Sequence, residues 1–184
     1  MSLAVIHSRA QVGIEAPAVT VEAHQANGLP SLALVGLPET AVKESKDRVR
    51  SAILNSHFEF PARRITINLA PADLPKHGGR FDLAIALGIL AASGQLPADN
   101  LANYEFVGEL ALTGELRGVT GVLSAALKSG VAKRPLIVAR DNGNEAALAK
   151  HCTIFTAAHL LEVCAMLRGN AQLQRCVTGE CAPT

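Results

Sequence analysis

The stretch Arg63–Leu96 reads RRITINLAPADLPKHGGRFDLAIALGILAASGQL, and its three parts carry three different local structures. In Arg64–Leu69 the apolar residues Ile65, Ile67 and Leu69 alternate with polar ones, which is the period of a half-buried strand. Pro71–Gly79 is rich in proline and glycine and reads as a loop. Asp82–Ser93 is apolar nearly throughout, with an acidic residue at its start where a helix dipole favours it. Leu83–Ala92 is uncharged and ten residues long, about half a membrane span, so it predicts a buried helix. Strand, loop and buried helix in that order point to an α/β domain.

The flanks extend this pattern. Ala18–His24 alternates, Asn27-Gly28 is a turn signal, and Leu32–Val35 is a short apolar strand, so residues 3–36 are expected to form a β-meander. Pro38 can open a helix because its missing N–H costs nothing there. Over Thr40–Ser56, Val42, Val49, Ala52 and Ile53 form one stripe and charged residues fill the other faces. Further on, strands are expected at Tyr104–Leu110, Leu116–Val119, Leu136–Ala139 and Cys152–Phe155. Helices are expected at 121–130, 143–150 and Ala157–Leu167. Periodicity stops after Gly169, so 170–184 reads as a frayed tail or linker after a domain of residues 1–169, with the chain expected to continue beyond it.

Composition limits the function classes. Of 184 residues, 49% are hydrophobic and 18% charged, which excludes a disordered chain. Aromatic residues are only 3%, so the core is aliphatic and stacking on single-stranded bases has little to work with. The net charge of +1 gives no global field toward nucleic acid. No basic segment followed by a long apolar run opens the chain, and a cytoplasmic, non-membrane protein is expected. Cys152 and Cys164 read as small core residues, and Cys176 and Cys181 as free thiols in the tail.

Chemistry-bearing motifs are few. The loops at Gly36, Pro75 and Leu112 match neither the phosphate loop GxxxxGK[ST] nor the dinucleotide GxGxxG, so no cofactor is expected. The six histidines are scattered without HExxH or an i, i+4 pair, and no metal is expected. No GxSxG is present. Charge is more informative. Lys43–Arg80 holds eight basic residues (Lys43, Lys46, Arg48, Arg50, Arg63, Arg64, Lys76, Arg80) against Glu44, Asp47, Glu59 and Asp73. Such a patch can meet phosphates, or it can be a solvated helix face with pairs such as Glu44–Arg48.

Three strings together, VGLPETAVKESKDRVRSAILNS (35–56), the 63–96 stretch and FVGELALTGELRGVTGVLSAAL (106–127), resemble the N-terminal domain of the ComM/YifB family of Mg-chelatase-like AAA+ ATPases. The resemblance implies a mixed α/β (α+β) fold similar to the proteolytic domain of Lon, in the ribosomal-protein-S5 domain-2-like class. It also implies that an AAA+ module outside this chain carries ATP and Mg. Lon uses a Ser–Lys dyad, with the serine in a loop similar to Pro75–Asp82. Here Arg80 stands at the serine's place and Leu123 at the lysine's. Arginine cannot attack a carbonyl at neutral pH and leucine cannot take a proton, so the resemblance implies a fold without the peptidase.

What the family implies beyond this is a hexameric DNA motor driving branch migration in natural transformation. Lys76, His77, Arg80, Arg63, Arg64 and Lys43 are then candidates for contact with DNA or a neighbouring subunit. That reading requires Lys76, Arg80, Arg63 and Arg64 on one exposed face. The alternative is that Arg80 pairs with Asp82 or Asp73 and holds its loop. Two other functions stay open: a peptidase with another nucleophile (Ser45, Ser51 and Ser124 are available), and a regulatory subunit of a Mg-chelatase-like complex.

Overall fold

A computed structural model describes residues 2–76 and 78–177. In chain order its strands are β1 (Ser2–Arg9), β2 (Ala18–Ala26), β3 (Ser31–Val35), β4 (Arg64–Ala70), β5 (Glu105–Val107), β6 (Glu109–Leu110), β7 (Leu116–Arg117), β8 (Leu136–Ala139), β9 (Ile154–Ala157) and β10 (Gln174–Cys176). The helices are α1 (Glu39–Asn55), α2 (Asp82–Ala92), α3 (Val122–Val131), α4 (Gly143–Ala146) and α5 (Leu160–Leu167). The main sheet has the spatial order β10-β9-β8-β5-β1-β2-β4-β3, and β6 and β7 form a separate two-stranded ribbon. The sheet is mixed: β1 runs antiparallel to β2 and parallel to β5, while β3 runs parallel to β4.

The alternation in β2 and β4 is realised as expected. Val19, Val21 and Ala23 face the core with Ile65, Ile67 and Leu69, and the two strands pair in antiparallel register. On that face lies α2, buried along its whole length from Asp82 to Ala92, and α1 packs beside it through Val49, Ala52 and Ile53. A helix apolar on every side needs cover on every side, and the sheet, α1 and the following loops supply it. A second core forms on the opposite face of the β5–β8–β9 half, where α3 and α4 bury Val122, Ala125, Ala126 and Ala146 against Val107, Leu136, Val138 and Ile154.

Four expectations need correction. Residues 3–36 are not a meander, because β3 leaves the β1–β2 hairpin and pairs with β4 at the far edge. An apolar strand such as Leu32–Val35 carries no signal about which neighbour it will choose. The Tyr104–Leu110 strand is broken into β5 and β6 at Gly108, whose N–H bonds to the Arg80 carbonyl at 3.0 Å instead of continuing a ladder. The tail is not frayed from residue 170: Gln174–Cys176 adds an antiparallel edge strand to β9. Cys176 is 2% exposed and disulfide-bonded, not a free thiol. Cys164 is buried as expected, and burial pushes its thiol up to about 12. Cys181 lies outside the described residues. No helix among the described residues is long and apolar enough to cross a membrane.

Candidate functional site

The loop between β4 and α2 carries Gly78-Gly79-Arg80 just before the helix. The connection between β7 and α3 runs through Gly118, Val119 and Thr120. These two segments line one cavity of about 240 Å3, together with Gln11 and Glu109. The structure therefore brings together the two stretches in which a Lon-like dyad would be sought.

Arg80 is 5% exposed. Its Nε donates to the Arg9 carbonyl at 3.0 Å, and its Nη1 donates to the Thr120 carbonyl at 2.8 Å. Nη2 is buried and has no hydrogen-bond partner among the described residues. Burial pulls the guanidinium below its ordinary pKa. The alternative pairing of Arg80 with Asp82 or Asp73 does not form. Asp82 instead accepts from Arg48 Nε at 2.6 Å, from Ser45 Oγ at 2.7 Å and from the Leu110 N–H at 3.2 Å. The reason is directional: the Asp82 carboxylate faces α1 and β6, whereas the Arg80 side chain is anchored on the Arg9 and Thr120 carbonyls.

Leu123 is partly buried against the second core, and its N–H donates to Glu145 Oε2 at 3.2 Å. Nothing at Arg80 or Leu123 supplies a nucleophile or a base. Thr120 lines the cavity, and its hydroxyl donates to Gln11 Oε1 at 2.7 Å. Ser45, one alternative nucleophile, is buried and donates to Asp82. Among the described residues no serine or threonine hydroxyl at the cavity is hydrogen-bonded to a lysine or histidine, and no group of His, Cys, Asp or Glu comes together in a way that could hold a metal ion.

The single exposed basic face does not form. Lys76 is 2% exposed, and its Nζ donates to the carbonyls of Pro71 and Leu74, which closes the 71–76 turn on itself. Desolvation lowers its pKa, with the Asp73 charge working against that shift. Lys76 and Arg80 are thus interior, while Arg63, Arg64 and Lys43 are exposed. His77 lies outside the described residues. In the sequence, Lys46 and Arg50 stand out only as part of a charge count. They line a cleft of about 410 Å3 between α1 and the entrance of β3, where the Arg50 guanidinium lies 4.9 Å above the Phe60 ring. With Lys43 they fall at i, i+3 and i+7, a spacing that could have placed them on one helix face from sequence alone.

A second buried charge cluster secures the sheet. Arg9 grips Glu105 through Nε at 2.6 Å and Nη2 at 3.0 Å, and Arg134 reaches the same carboxylate at 3.0 Å. Glu105 is 1% exposed, so it is a satisfied structural anion bridging β1 and the approach to β8.

Comparison with known proteins places this architecture. Residues 21–142 match the family described as subunit ChlI of Mg-chelatase. The chain is 59% identical over 175 residues to the uncharacterized protein YifB of Salmonella typhimurium, covering 95% of the chain and 35% of that relative. It is 58% identical over 173 residues to competence protein ComM of Haemophilus influenzae, covering 94% of the chain and 34% of the relative. The chain belongs to the ComM/YifB group of the ChlI-type Mg-chelatase family. An uncharacterized protein of Mycobacterium tuberculosis, Rv2897c, is 38% identical over 188 residues, 37% of its own length. The chain spans about a third of the length of these relatives.

Proposed function

We propose that this chain is a non-peptidolytic, Lon-like accessory domain of a competence-related AAA+ DNA motor. The observation that carries the reading is the 58% identity to competence protein ComM over 94% of the chain, which accounts for only 34% of that relative. The remainder of such a protein leaves room for the ATPase module that this chain has no motif to supply. The arrangement at Arg80 and Leu123 supports the absence of peptidase chemistry, since the cavity is walled by a cation anchored on two carbonyls and offers no activated hydroxyl.

In this reading the assembled protein is a cytoplasmic homo-oligomer, a hexamer, that binds ATP and Mg through its AAA+ module and acts on DNA in branch migration. The domain's own contribution to DNA contact is the outward basic set Lys43, Lys46, Arg50, Arg63 and Arg64. Lys76 and Arg80 are interior and serve the fold. Arg63 and Arg64 enter β4 beside the same edge that β3 closes, and Arg63 is tethered by Nη1 to Asn27 Oδ1 at 3.1 Å.

The test uses the full-length protein. ATP hydrolysis stimulated by branched DNA, with casein left intact, is the expected result. Casein cleavage by pure protein that stops when one serine is replaced would overturn the non-peptidolytic assignment. ATP hydrolysis indifferent to DNA would overturn the motor.

A further inference from the structure

Two left-handed residues mark one end of the sheet. Lys133 has φ +61° and His151 φ +67°, a region that favours glycine and strains a residue with a Cβ. Leu136 of β8 is the register partner of Ile154 of β9, and Lys133 and His151 each stand three residues before those partners. The Leu136 N–H donates to the Thr153 carbonyl at 2.9 Å, so the two approaches run side by side. At Lys133 the chain leaves α3. The Lys133 N–H donates to the Gly130 carbonyl at 3.1 Å and the Arg134 N–H to the Ser129 carbonyl at 3.0 Å, a helix ending that glycine usually completes. The helix dipole does not account for the lysine, because Lys128 already supplies a cation in the last turn of α3. Both residues are exposed, so core packing does not select them either. Backbone strain kept at such positions points to a use for the side chains.

The same end of the sheet is basic. Lys150, His151 and Arg175 line a cleft of about 540 Å3 beside the β9–β10 edge, and among the described residues no acidic side chain lines it. None of Lys133, Lys150, His151 and Arg175 forms an ion pair among the described residues. Glu105, opposite Leu136 on β5, is buried and already held by Arg9 and Arg134. Lys133, His151 and Arg175 belong to β8, β9 and β10 or their approaches, three adjacent strands that span about 10 Å. Over that axial length one strand of DNA carries about three phosphates. Lysine and arginine side chains only donate hydrogen bonds, which suits the acceptor oxygens of phosphate. β10 and β3 are the two edges of the eight-stranded sheet, roughly 34 Å apart at about 4.8 Å per strand. This basic set is therefore separate from the one at the entrance of β3.

We propose that Lys133, Lys150, His151 and Arg175 form a second phosphate-contact site for the DNA backbone, at the β8–β9–β10 end of the domain. The site rests on the DNA reading given above and adds a contact that the β3 edge cannot make.

The test is equilibrium binding of a linear DNA duplex of arbitrary sequence by the full-length protein, across about 50 to 200 mM salt, with polyglutamate as a second probe. Lys133→Gly, Lys150→Ala and Arg175→Ala together should make the log–log slope shallower by roughly two to three units per engaged subunit. The double variant Lys133→Gly with His151→Gly should weaken DNA binding yet melt at or above the wild-type temperature, because glycine suits both backbones. A purely structural role would lower the melting temperature instead. An unchanged slope in the triple variant, a lowered melting temperature in the glycine variant, or polyglutamate bound more tightly than duplex at equal salt would each overturn the proposal. A slope unchanged here but reduced by replacing Lys46, Arg63 and Arg64 would overturn this site and leave the β3 edge standing. Wild-type protein that binds no duplex would overturn both.

Discussion

Arg48 Nε lies 2.6 Å from Asp82 Oδ2 and ties the middle of α1 to the first residue of α2. Asp82 is fully buried, and its carboxylate also accepts from Ser45 and from the Leu110 backbone. One ion pair thus positions both helices and the β6 ribbon against the cavity. Removing the arginine strands a buried charge, which costs more than the pair contributes as a whole. Arg48→Met should destabilise the chain by about 3 kcal/mol in urea unfolding. The double variant Arg48→Met with Asp82→Leu should recover most of that loss.

Burial raises the Asp82 pKa, and the hydrogen bonds from Arg48 and Ser45 offset the shift only in part. The folded state therefore holds this proton more tightly than the unfolded state. Its stabilising effect is complete below the ordinary value of 3.8 and is lost as pH rises through the folded value. His7 acts in the opposite pH direction. Burial, then the Arg134 charge, lower its pKa below 6.5, while Glu105 works against the shift. Above pH 6.5 the imidazole is neutral in both states. As pH falls below 6.5 the unfolded chain takes the proton first, and stability is lost until the lowered folded pKa is passed. Unfolding midpoints of wild type and His7→Gln, measured at about pH 7.5 and about pH 5.5, should show a smaller acid-side loss in the variant.

Gly36 sets the exit of β3 toward α1. Its φ is +97°, and a Cβ there would stand 2.2 Å from the Leu69 carbonyl oxygen. The obstacle is backbone of β4, a strand paired on both sides, and cannot swing away. Gly36→Ala should cost on the order of 3 kcal/mol by combined strain and clash, read as a lowered melting temperature. Gly13 is a useful control, with φ +61° and nothing within 4 Å of an added Cβ, so Gly13→Ala should cost less.

The sequence is most legible where burial is one-sided or complete. The alternation in β4 and the unbroken apolar run of α2 mark both elements to within a residue or so, because burial on one face or all faces writes itself into composition. Strand partners are not legible: Leu32–Val35 pairs with β4, and no periodicity encodes that choice. Neither is the fate of basic side chains. Lys76 and Arg80 look like surface charges in a glycine-rich loop, yet carbonyls of Pro71, Leu74, Arg9 and Thr120 hold them inside. For Lys76 the acceptors come from the loop's own turn. For Arg80 they come from the end of β1, 71 residues away, and from the β7–α3 connection, 40 residues away, so only the folded chain assembles them. That Arg80 and Leu123 stand at the places of a dyad is implied by resemblance alone, whereas the cavity that joins the Arg80 loop to the β7–α3 connection is a product of the fold.

The most direct measurement is the salt dependence of DNA binding by the assembled full-length protein, with Lys46, Arg63 and Arg64 replaced together by alanine. Removing one phosphate contact should make the log–log slope shallower by about one unit, so the triple variant should show a slope reduced by roughly two to three units per engaged subunit, with little dependence on base sequence. These side chains carry little of the fold, and the melting temperature should stay near that of the wild type. An unchanged slope with an unchanged melting temperature would contradict the account, since the outward basic face would then take no part in meeting DNA.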